Sequence, residues 1–78
     1  MTEVAEKIER ARALLASGEQ LKAVEILSEA VDATDDPDMH GQIYELAVQG
    51  HEQATGFQKI HWRELMISSE AHLEHPVA

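Results

Sequence analysis

Nearly the same five residues occur twice in the chain, Ala16-Ser17-Gly18-Glu19-Gln20 and Ala54-Thr55-Gly56-Phe57-Gln58, 38 positions apart. Each sets an alanine, a hydroxyl residue, a glycine and a glutamine in the same order within a sequence otherwise patterned for helix. Glycine inside a helix costs about 1 kcal/mol relative to alanine. The S/T-x-x-Q spacing is that of a capping box, in which side chain and backbone satisfy each other's orphan amides. Both stretches therefore read as turns where one helix stops and another starts, and the chain reads as paired antiparallel helices.

The flanking periodicity agrees. Val4, Ile8, Ala11 and Leu15 recur on one face, with Leu14 beside it and Glu3, Glu6, Lys7, Glu9 and Arg10 opposite, which predicts a helix over 3–16. Thr2 is placed to cap it, and Glu3 and Glu6 suit the positive end of its dipole. A second helix carries Leu21, Ala23, Val24, Leu27, Ala30 and Val31, an apolar band wide enough for two neighbours. It ends in the acidic run Asp32 to Asp38, where Asp36 can cap a third helix with Pro37 in its first turn.

The third helix presents Ile43, Leu46, Ala47, Gly50 and Ala54, mostly small residues that admit a close neighbour. An uninterrupted helix from Pro37 to Leu73 competes with a break at Gly56. The break is preferred, because on one straight helix the stripe drifts badly by Ile60 and Ile67. A fourth helix over 57–73 is then apolar on two sides, with Phe57, Ile60, Ile67 and Ala71 on one and Trp62, Met66 and Leu73 on the other. Such a helix is sandwiched between neighbours or sits in an oligomer interface. The fold expected is all-α, three to four helices in antiparallel hairpins: one domain over 1–74, with a hairpin at 3–34, a second hairpin or long kinked helix at 37–73, and a frayed tail at 75–78.

Seventy-eight residues lie near the lower limit for a self-sufficient core, and aromatic residues are only 4%. A covering partner, with a dimer favoured, is a physical expectation. Fifteen acids against six bases give a formal charge of −9. That argues against binding a nucleic-acid backbone or an acidic membrane, both of which call for clustered lysine and arginine. A basic protein partner is permitted. Cysteine is absent, and there is neither an apolar run of membrane-spanning length nor an apolar signal-peptide core, so the expected location is the cytoplasm.

Across Val4 to Pro37 the order Ala11, Leu14, Gly18, Ala23, Leu27 and Ala30, followed by a Pro-containing turn, resembles one tetratricopeptide repeat. The usual first-helix aromatics are missing and the proline comes slightly late. The second half resembles a repeat only loosely, because His61 falls where the matching alanine should pack. The 38-residue spacing also exceeds the family's usual ~34. The resemblance implies a groove on the first-helix face, with Ile8, Arg12 and Leu15 as its candidates. Two repeats leave an apolar face uncovered, since about three are usually needed for stability. Trp62, Met66 and Leu73, with Phe57, are the candidates for that open interface.

Signals for chemistry are weak. All five histidines, His40, His51, His61, His72 and His75, lie in the second half, but neither HExxH nor Glu-x-x-His occurs, and no metal or other cofactor is expected. Protonating all five would move the formal charge from −9 to −4, a possible pH response. Asp36, Asp38, His40 and Gly41 match part of a calcium loop, but Ala47 stands where a bidentate glutamate is required. His61, Glu64 and Ser68 share a helical face in a superficially triad-like order, without an oxyanion hole or enclosed cleft to serve them. The expected role is therefore non-enzymatic: a small acidic, self-associating protein–protein interaction module that presents a groove or apolar helix face to a protein or peptide. The alternative is an acidic regulator that masks a basic surface of a nucleic-acid-binding partner.

Overall fold

The computed structural model describes residues 3–74; the Thr2 cap, His75 and the expected tail over 75–78 lie outside it. Four helices run in order: α1 (Glu3–Ala16), α2 (Gln20–Ala33), α3 (Pro37–Gln53) and α4 (Gln58–Glu74). The break near Gly56 is present, so residues 37–73 form a second hairpin and not one long helix. Pairing is α1 on α2 and α3 on α4. Between hairpins, α2 touches both α3 and α4, and α1 touches α3. Buried side chains of all four helices form one apolar cluster. No helix among the described residues is long and apolar enough to cross a membrane.

The faces of α1 to α3 are those the periodicity predicts. Val4, Ile8, Ala11 and Leu15 are buried on α1. Ala23, Val24, Leu27, Ala30 and Val31 are buried on α2, whereas Leu21 is outside the core. Ile43, Leu46, Ala47 and Gly50 are buried on α3, with Ala54 just past its end. Small residues bring the paired helices close: Ala11, Ala23 and Ala30 in the first hairpin are completely buried.

Both turn glycines have left-handed backbone, φ +85° at Gly18 and +61° at Gly56, a conformation that glycine adopts without a Cβ penalty. The hydrogen bonding around them differs from a capping box. The Gly18 amide donates to Leu15 O at 3.1 Å and the Glu19 amide to Leu14 O at 2.9 Å, which is a Schellman closure of α1. That closure makes Ser17 part of the end of α1, so Glu19 and not Ser17 stands at the N-cap of α2, without a side-chain capping bond. The Ser17 hydroxyl instead donates back to Leu14 O at 3.0 Å. The second turn is longer: Ala54 is extended, and α4 opens with tight i to i+3 bonds from Lys59 to Gly56 O and Ile60 to Phe57 O, both 3.2 Å. The two turns thus share a left-handed glycine but are built differently.

Between the hairpins the acidic linker is ordered by its own side chains. Asp36 caps α3 by accepting the Asp38 amide at 2.9 Å, with Pro37 opening the helix. Thr34 Oγ1 accepts the Asp36 amide at 3.1 Å.

Candidate interaction groove

Helix α4 decides which apolar surface stays open, because one of its two apolar sides has to face inward. The buried side is that of Trp62, Leu65 and Ser69, with Met66 partly buried beside them. Trp62 is wholly inaccessible, its indole lying against the backbone of Gly50 on α3, where a Cβ would overlap the ring atoms Cε2, Cδ2 and Cζ2. The expectation that Trp62, Met66 and Leu73 form the open face is therefore corrected: Trp62 is core, because Gly50 leaves room for its ring. Leu73 is borderline, at 37% exposure. The open side is the other one, with Phe57 84%, Ile60 53% and Ile67 58% exposed.

Nor do the three residues expected to line a groove on the first-helix face lie together on an open surface. Ile8 and Leu15 are buried in the core, and Arg12 lies on the surface paired with Glu9 one helical turn away. A groove of about 750 Å³ runs instead between α2 and α4. Its apolar lining is Leu21, Val24 and Val31 from α2 and Leu65 from α4. Its walls carry Glu25, Glu29 and Asp32 on α2 and Glu64 on α4, with Ser28, His61 and Ser68 between them. A lysine reaches one of these carboxylates: Lys7 of α1 pairs with Glu29 at 3.3 Å.

The α2 wall follows from helical spacing. Leu21, Glu25, Ser28 and Asp32 lie at i, i+4, i+7 and i+11, one flank of the helix beside its core face. On α4 the corresponding flank is His61, Glu64 and Ser68, the three residues whose order hinted at a triad. All three are exposed along an open groove wall. Sequence reasoning missed the α2 wall, although its flank spacing is legible; what was lacking is that α4 lies alongside it.

The histidines separate into different environments. His40 is buried, its Nε2–H donating to Thr34 O at 2.7 Å. Its ring stacks on His72 of α4, centroids 4.1 Å apart and planes 13° from parallel. The His72 Nδ1–H donates to Ser68 O at 2.9 Å. Among the described residues the buried His40 Nδ1 has no hydrogen-bond partner. The pair clamps the acidic linker and the end of α4 together. Among the described residues no group of three or more His, Asp or Glu side chains is arranged to hold a metal ion. Asp36, part of the partial calcium-loop match, serves as the α3 cap.

No protein-family model matches the chain, and comparison with curated proteins and with solved structures finds no match either.

Proposed function

We propose that this chain is a small, non-enzymatic protein–protein interaction module that takes an apolar segment of a basic partner into the α2–α4 groove. The observation that carries the reading is the groove itself: an apolar floor between two helices, walled by Glu25, Glu29, Asp32 and Glu64. From Leu21 to Asp32 the α2 wall runs about 16 Å at ~1.5 Å per residue, room for about three turns of a partner helix. An amphipathic helix would lay apolar residues at i, i+3 or i+4 and i+7 on the floor, with lysine or arginine at its edges meeting the carboxylates. The pairing of helices, in which α3 touches both members of the first hairpin, supports reading the fold as two tetratricopeptide-like hairpins side by side. The first hairpin carries that likeness better than the second.

Selection of a random peptide display library against the purified chain tests the proposal. The expected outcome is enrichment of peptides with helically spaced apolar residues and flanking lysine or arginine. Ser28→Trp, which would fill the groove, should abolish their binding. Absence of enrichment, or binding indifferent to Ser28→Trp, overturns the reading. Salt separates it from the masking alternative: a groove held by apolar burial loses little affinity as ionic strength rises, whereas a charge-on-charge mask loses most of it.

A further inference from the structure

From the outer side of α4 we infer that the chain pairs with a second copy of itself, α4 lying antiparallel against the partner's α4 about a two-fold axis near Ile67. The first ground is exposure. Ile60 and Ile67, seven residues apart on one face of a straight helix, are more than half exposed, and Ala71 continues the stripe one turn beyond Ile67. Aligned in this way, the two side chains form a short apolar strip that an identical strip can match.

The second ground is charge, and it selects the occupant. A copy of this chain carries a formal −9, so two copies approach favourably only where the local charge is balanced. The groove wall of α2 is not such a place, with Glu25, Glu29 and Asp32 together, nor is the exposed side of α3, with Asp38, Glu45 and Glu52. On α4 the stripe is flanked by Arg63 in the first half and Glu70 in the second, seven residues apart and both exposed. In an antiparallel two-fold pair each flank meets the same flank of its partner, running the other way. Arg63 then meets the partner's Glu70, and Glu70 meets the partner's Arg63, so a single arrangement makes the contact twice.

That pairing also fixes the register. With Arg63 opposite the partner's Glu70, the axis passes beside Ile67, which packs on its own copy, and Ile60 lies about two to three residues beyond the partner's Ala71, near the end of that helix. The competing register, which sets Ile60 on the partner's Ile67, brings Arg63 against Arg63 and Glu64 against Glu64 across the axis. Like charges directly opposed disfavour it. The flank thus rejects the register that apolar matching alone would permit. This surface is the back of α4, separate from the α2 wall of the groove, so its failure would leave the groove reading standing.

Sedimentation or light scattering from about 1 to 100 μM, the span over which a micromolar dimer assembles, tests the inference. The wild-type chain should move from monomer to dimer within that range. Ile67→Glu should remain monomeric with unchanged helical circular dichroism, since its side chain is exposed in the monomer. R63E and E70R should each weaken the dimer by roughly tenfold, and the two together should restore it, because the swap rebuilds both ion pairs. A wild-type monomer throughout, a dimer indifferent to Ile67→Glu, or a double variant as weak as the single ones overturns the proposal.

Discussion

The two hairpins turn over almost the same five residues, yet they do not bury the same faces. Shifting α1 by the 38-residue spacing onto α3 sets buried Ala11 against exposed Gln49, and exposed Arg12 against buried Gly50. Between α2 and α4 the same shift keeps Val24 with Trp62, Leu27 with Leu65 and Val31 with Ser69, all buried. It also sets buried Ala23 and Ala30 against His61 and Ser68, which line the groove. The first hairpin closes on alanines; the second closes a tryptophan over a glycine. A repeated turn therefore guarantees a repeated reversal of the chain and nothing about the interface beyond it. The asymmetry is also what leaves a groove, because the side of α2 that alanines seal is, on α4, polar and open.

The largest test of this contrast is Trp62→Ala. Removing a wholly buried indole should cost about 3–5 kcal/mol, comparable to the ~4–12 kcal/mol that a domain of this length has in total. Urea melts should show a chain unfolded or nearly so; a midpoint close to wild type would mean that the second hairpin does not depend on its tryptophan. Gly50→Ala should follow, at a net cost of about 1–2 kcal/mol, because overpacking against a rigid ring outweighs the helix propensity gained. Arg12→Ala, its counterpart in the first hairpin, should change stability by under ~0.5 kcal/mol. Equal effects at the two positions would erase the distinction drawn between the hairpins. The smallest effect has the opposite sign. Ser69 is buried where α2 has Val31, and among the described residues its hydroxyl has no hydrogen-bond partner. Ser69→Ala should therefore stabilise the protein by about 0.5–1 kcal/mol, and a lower melting temperature would show that the hydroxyl does find a partner.

The readings that held rest on local physics. The core faces of α1, α2 and α3 come from helical periodicity against a charged opposite side, and Asp36-Pro37 is a helix start wherever it occurs in a polar linker. Of the readings that failed, one was itself local and the others rest on contacts between distant segments. Ser17 could have capped α2, but the Schellman closure of α1 claimed its position first. Ile8 and Leu15 could have lined a groove in a longer array, but in this pair of hairpins they are buried.

What the sequence by itself determined is the all-α class, the first hairpin with its reversal at Gly18, the start of the third helix at Pro37, and three of the four inward faces; at Gly56 it preferred a break, and the structure decided for two helices over one. Each follows from spacing, capping and backbone freedom within about one turn of the residue concerned. Only the tertiary structure decided which side of α4 turns inward, and with it where the groove and the outward stripe lie. Both sides of that helix are apolar, so periodicity ranks them equally. The choice falls to the one place on α3 where a missing Cβ admits an indole, and that fit exists only once Gly50 and Trp62, twelve residues apart, face each other across two packed helices.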